Sequence, residues 1–153
     1  MLDIDIEGRF DNVYAASSFE HVGLGFKACG YHDLEADKKV AKKLADLTKD
    51  NGLFIISVPF GKNELFVHNE DGDVGKFGKV DNPSCGFRTY NIEGIMSLFN
   101  SFDIVKSKAY LKEIDKPDFS NDNPDSWKEI SDKDFNNIKP NHASLCMALR
   151  KTS

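Results

Sequence analysis

Leu53-Phe54-Ile55-Ile56-Ser57-Val58 is a nearly unbroken apolar run placed directly behind a stretch with helical periodicity. Such a run has no solvated face, so it reads as a strand covered on both sides, the situation of parallel strands in a layered sheet. Pro59 stops it, because proline has no N–H for the ladder. Ahead of it, Ala36, Val40, Leu44 and Leu47 fall at i, i+4, i+8 and i+11, one face of a helix. The expected helix runs from Leu34 to Lys49, with Asp33 as N-cap and Glu35 in the first turn. Lys38, Lys39, Lys42 and Lys43 form its solvated flank. Asn51-Gly52, two residue types that tolerate a left-handed conformation, ends it. Residues 11–17 are β-prone and small, and are expected as a central buried strand. Strand, helix and strand in this order make a βαβ unit.

The rest of the chain extends that unit. Residues 1–9 are polar and acidic and read as an entry loop. Gly23, Gly25 and Gly30 make 22–32 a loop. Residues 62–86 read as an excursion over one end of the sheet, with a short strand at Leu65-Phe66-Val67 and a turn at Glu70-Asp71-Gly72-Asp73. Asn91 is expected to cap a helix over Ile92 to Phe99, with Ile92, Ile95, Met96 and Phe99 turned inward. Residues 102–112 read as a strand. Residues 113–141 are acidic and broken by Pro117, Pro124 and Pro140, and read as a surface insertion with a short helix from Trp127 to Ile130. Ala143 to Leu149 reads as a last strand, and the final two strands are expected as an antiparallel pair at the sheet edge.

Composition narrows the class. The 153 residues suit one domain, with 40% hydrophobic and 29% charged residues and 12 phenylalanines for the core. A net charge of −5 argues against nucleic acid as the main partner. No apolar run is long enough to span a membrane, and the acidic start Met1-Leu2-Asp3-Ile4-Asp5 is unlike a signal peptide, so a cytoplasmic protein is expected. Cys29, Cys85 and Cys146 are widely spaced with no CxxC pair, so reduced, partly buried thiols are expected. His21, Cys29 and His32 match no metal-ligand spacing, and no metal is expected.

Ligands of open parallel sheets bind beyond the carboxyl ends of the strands. Ser17, Ser18, Glu20 and His21 stand at that end of the first strand. Pro59, Phe60 and Gly61 stand at that end of the next. Histidine as a residue type titrates near neutrality and suits a proton acceptor, and a neighbouring carboxylate assists it or holds a polar ligand. His21 and Glu20 are therefore the expected catalytic pair.

The stretch from Phe10 through Glu20-His21-Val22-Gly23-Leu24-Gly25 resembles the fourth strand, and the loop after it, of the class I S-adenosylmethionine (SAM)-dependent methyltransferases. Further resemblances follow in order: Asp37 and its helix, the Asp50-Asn51-Gly52 turn where the family has Lys-Pro-Gly-Gly, Ser57-Val58-Pro59-Phe60-Gly61, Arg88-Thr89-Tyr90-Asn91, and the tail Ala148-Leu149-Arg150-Lys151. The resemblance covers nearly the whole chain. It implies an α/β fold, a partial Rossmann-like methyltransferase sheet: a βαβ unit, then a helix and antiparallel closing strands. It implies SAM as cofactor, with Ser17 and Ser18 lining its methionine side and Asp3 and Ile4 near its adenine. It implies a small-molecule or sugar acceptor, with Arg88 and Tyr90 either binding that substrate or anchoring the loop to the helix. The family's glycine-rich cofactor loop precedes the strand matched here by residues 11–17, and Gly23-x-Gly25 is not that turn. Three expectations follow: a truncated form inactive alone, a methyltransferase completed by an amino-terminal partner chain or by self-association, or a non-enzymatic binding module that keeps the fold.

Overall fold

A computed structural model describes residues 6–24, 33–69, 74–76, 83–112, 127–131 and 142–153. Asp3, Ile4, Cys29, His32, the turn at 70–73 and most of the expected insertion (113–126 and 132–141) lie outside the described residues. Two sheets are formed. The larger has five strands in the order β1-β2-β8-β6-β7: β1 (Phe10–Ala16), β2 (Thr48–Pro59), β6 (Phe102–Lys112), β7 (Trp127–Ile130) and β8 (Ala143–Lys151). The smaller has the order β4-β3-β5: β3 (Glu64–Asn69), β4 (Val74–Lys76) and β5 (Pro83–Thr89).

The βαβ unit forms as the apolar pattern requires. β1 and β2 run parallel, with Tyr14 opposite Ile55 and Ala16 opposite Ser57. Helix α1 (Ala36–Leu47) joins them. Its end is closed by Thr48, whose Oγ1 donates to Leu44 O at 2.8 Å, and by Lys151, whose Nζ donates to Ala45 O and Thr48 O. The β1–β2 register jumps from Phe10↔Thr48 to Asn12↔Leu53, so residues 49–52 bulge out of the ladder at the start of β2, with Asn51 at a φ of 62°. The helix starts two residues later than Leu34. Residues 33–35 are held in a turn in which Asp33 Oδ1 accepts from Glu35 N and Arg88 takes the Leu34 carbonyl.

Helix α2 (Ile92–Leu98) is capped as expected, Asn91 Oδ1 accepting from Gly94 N at 2.8 Å. Ile95 and Phe99 are fully buried, and Ile92 and Met96 pack against the core. That core lies between the two helices and one face of the large sheet. Phe54, Ile56 and Val58 of β2 and Leu145, Met147 and Leu149 of β8 alternate into it. Phe99 joins it together, its ring 4.7 Å from Phe54 and 5.6 Å from Phe19.

Three expectations fail. β1 is not central: it pairs only with β2 among the described strands, Ala15 is its one buried residue, and Tyr14 is 66% exposed. The closing strands β6 and β8 pair antiparallel as expected but do not sit at the edge, because β8 lies between β2 and β6, and β7 covers β6. β8 fits there because small side chains, Ser144, Cys146 and Ala148, alternate with its core residues. Trp127–Ile130 is a strand and not a helix. Pairing with Tyr110 and its neighbours overrides local spacing, and puts Ile130 against the core and Trp127 on the opposite face. The excursion is a sheet of its own, tied to the large one by the Phe60↔Tyr90 bridge. Among the described residues no helix is long and apolar enough to cross a membrane.

The core and the cap differ in weight. Phe99→Ala should cost about 3–5 kcal/mol and Asn91→Ala about 1 kcal/mol, read by urea denaturation. Equal losses would contradict the packing described.

Candidate functional site

The site starts where β1 stops. Ser17 takes a φ of 42°, and its N–H donates to Ser57 O at 3.1 Å with Ser57 Oγ equally close. This reverses the chain at the carboxyl end of β1. Phe19 then plugs into the core beside Tyr90 and Phe99, and a single 3₁₀ turn, Phe19–His21, carries the next two side chains. Glu20 and His21 are placed by that plug.

Glu20 is 4% exposed, and its Oε2 has no hydrogen-bond partner among the described residues. Burial pushes its carboxyl above the ordinary carboxylate range, with its own backbone N–H and the His21 charge pulling the other way. His21 Nδ1 lies 2.8 Å from Gly86 O in β5. A carbonyl only accepts, so the ring proton is on Nδ1 and the neutral ring keeps its lone pair on Nε2. Nε2 is 3.9 Å from Glu20 Oε1, beyond hydrogen-bond distance, and the His21 side chain is 42% exposed. Cys85 Sγ is 3.4 Å from Nδ1, and burial followed by the Glu20 charge pushes its thiol up, away from the reactive thiolate.

Two glycines permit this approach. A Cβ on Gly86 would sit 2.8 Å from Leu24 Cβ, and one on Gly23, whose φ is 72°, would sit 2.2 Å from Asp33 O. Below them Arg88, 5% exposed, gathers the loop ends. Its Nη1 donates to Val22 O, its Nη2 to Leu34 O at 3.0 Å, and its Nε lies 3.3 Å from Asp37 Oδ2. Tyr90 Oη donates to the same Asp37 oxygen at 3.2 Å. Burial first, then the Asp37 charge, pushes the Tyr90 phenol far up and keeps it a donor.

Glu20, His21 and Ser17 line a cavity of about 520 Å³ between the small sheet and the outer face of the large one. Phe87 and His68 enter it from the small sheet. Pro59, Tyr110, Trp127, Ser144 and Cys146 enter it from the large one. The volume is that of a small-molecule pocket. Ser18 precedes the 3₁₀ turn on the exposed side and does not line the cavity. Arg88 and Tyr90 do not line it either; they border a smaller depression of about 190 Å³ beside Asp37 and Glu64, their polar atoms already engaged.

Sequence reasoning missed the aromatic walls and the Gly86 carbonyl. The alternation of Ser144 and Cys146 with buried neighbours was a signal for the second face. Trp127 and Tyr110 gave none, because their meeting depends on the β6–β7 pairing.

Neither a protein-family model nor a curated protein matches the sequence. Solved structures match in fold. The chain superposes on a SAM-dependent methyltransferase from Methanosarcina mazei with a TM-score of 0.58 at 9% identity, covering 97% of this chain and 63% of that one. It matches the Burkholderia thailandensis 1,6-didemethyltoxoflavin-N1-methyltransferase, solved with its acceptor and S-adenosylhomocysteine, at 0.54 and 15% identity, covering 99% and 48%. The CcbJ methyltransferase from Streptomyces caelestis gives 0.50 and 10%, covering 99% and 61%. The chain thus spans from about half to just under two thirds of these proteins. It has the class I methyltransferase-like fold, a mixed α/β sheet with parallel and antiparallel strands.

Two outcomes are expected. Arg88→Met leaves Asp37 buried without its cation and should cost about 3–5 kcal/mol in chemical denaturation. Glu20 is raised in the folded state, so its penalty is absent at low pH and grows as pH rises through the folded value. Glu20→Gln should therefore match wild type at about pH 4 and melt about 2–4 °C higher at about pH 8. An equal difference at both pH values would contradict the buried, ionising carboxyl.

Proposed function

We propose that this chain carries the acceptor-binding and proton-accepting part of a SAM-dependent methyltransferase, acting on a small molecule. The observation that carries this reading is the Glu20–His21 turn at the carboxyl end of β1, with Nδ1 held by Gly86 O and Nε2 left as the basic atom.

The described residues fit the methyl-bearing end of the donor. Ser17 is on the cavity wall at the strand end, Ser18 is exposed next to it, and Glu20 lines the same end of the cavity. When bound, SAM supplies an electrophilic methyl group on a sulfonium. The protein's own task is to align a nucleophile with it and remove a proton. Glu20, a lining residue of the cavity, helps hold a polar acceptor. His21 takes the proton at Nε2, and the Gly86 carbonyl stabilises the imidazolium through Nδ1–H. Phe87, Tyr110 and Trp127 exclude water. Arg88 and Tyr90 act at a distance, fixing the strap that carries Val22 and so the turn itself.

A specific observation favours completion by further polypeptide. β1 shows an open edge among the described strands, with Phe10 and Tyr14 exposed. Strands carrying the nucleoside end of the donor site would pair there, from an amino-terminal partner or a second copy, and turnover would need them.

Methyl transfer is tested at two levels. S-adenosylhomocysteine at about 1 mM, a concentration that reveals even weak sites, should shift the amide resonances of Ser17, Ser18 and His21. A folded protein whose resonances there ignore it would contradict the proposal. In the complete enzyme, His21→Ala should lower kcat by about 10²–10⁴ without loss of fold, and an unchanged kcat would remove His21 as the base.

A further inference from the structure

The two edges of the large sheet are protected differently. Edge strands resist pairing with another chain by being short, by carrying charge or proline, or by bulging. β7 has four residues, two of them charged, Lys128 and Glu129. The stretch of β6 that β7 leaves uncovered carries Asp103, Lys106 and Lys108, with a register shift between Ile104 and Lys106. β1 lacks these devices. It is seven residues long, contains no proline, and has an open edge among the described strands. Its one charge, Asp11, is neutralised by Lys49, whose Nζ lies 2.9 Å from Oδ2 and 3.1 Å from Oδ1. Along β1 the side chains alternate. Val13 and Ala15 turn to the core, and Phe10, Asn12 and Tyr14 share the other face. Phe10 is 45% and Tyr14 66% exposed.

We propose that β1 is a self-association edge, through which two copies of this chain pair antiparallel about Asn12. The strand is its own complement in that register. With Asn12 opposite Asn12 of the second copy, Phe10 of each stands opposite Tyr14 of the other. Other antiparallel registers make at most one aromatic pair. Directly opposed aromatic side chains stabilise antiparallel strands beyond the area they bury. Asp11 stands opposite Val13, so no like charges meet directly. The unpaired backbone groups of the edge gain partners, and two five-stranded sheets become continuous across the two-fold axis. The inference does not rest on the methyl-transfer reading. An amino-terminal partner would have to displace the second copy from the same edge.

One strand from each copy makes a small interface of the transient class. Sedimentation velocity of the full chain should therefore show monomer at about 1 µM and mostly dimer at about 300 µM. Phe10→Lys and Tyr14→Lys place charge at exposed positions of the edge. Each should weaken the dimer at least about tenfold with unchanged circular dichroism. Asn12→Cys tests the register. Directly opposed antiparallel residues have Cα atoms about 4.5–5.5 Å apart, within disulfide range. Under mild oxidation Asn12→Cys should cross-link well above the wild-type background. Ala16→Cys, about 27 Å from its counterpart in this register, should not. Three results would overturn the proposal: a monomer at about 300 µM, a dimer indifferent to both lysine substitutions, or Asn12→Cys cross-linking no faster than Ala16→Cys. No methyl donor or acceptor is present in these experiments, so their failure is distinct from a failure to bind S-adenosylhomocysteine.

Discussion

The buried Arg88 guanidinium is the interaction on which the site depends. It bonds the carbonyls of Val22 and Leu34, which flank residues 25–32, and the carboxylate of Asp37 in the first turn of α1. One planar fork thereby joins β5, the loop after β1 and the helix that follows it. A buried ion pair is weak evidence of net stability, because desolvation offsets most of the attraction. What it fixes is geometry. β5 is held against the loop, Gly86 can approach Leu24, and its carbonyl meets His21 Nδ1. Arg88 thus sets the tautomer of a side chain it does not touch.

The electrostatics of the cavity differ from those of the anchor below it. At Asp37 both oxygens are partnered, Oδ2 by Arg88 Nε and Tyr90 Oη and Oδ1 by the Lys38 backbone N–H. At Glu20 burial comes with no partner for Oε2 among the described residues. The first arrangement holds a structure together. The second carries a standing cost, the desolvation of a buried carboxyl. The two carboxylates share the loop region and are distinguished by their surroundings alone.

Much of the large sheet was legible in the sequence because its signals are local. The apolar run of β2, the amphipathic face of α1, and Asn91 three residues before Gly94 each act within one element. Glu20 and His21 were legible because they follow a strand end, where ligands of such sheets bind. Strand position was not legible. Residues 11–17 and 143–149 are both short β-prone segments, and which one is central follows from pairing across more than 80 residues, as in Ile55↔Ala148. Trp127–Ile130 fits one helical turn until Ala109–Lys112 offers it a ladder. The roles of Arg88 and Tyr90 were legible only as a pair of alternatives, and both side chains contact Asp37.

The fold is class I methyltransferase-like, and the chemistry proposed for the site turns on a single proton, the one on the His21 ring. A long-range ¹H–¹⁵N NMR spectrum of His21, recorded with the ring neutral, locates it directly. Nδ1 carrying the hydrogen and Nε2 bare is the expected result, with Gly86 O as the acceptor that enforces it. Nε2 carrying the hydrogen would leave the proposed base without its lone pair and contradict the site as described.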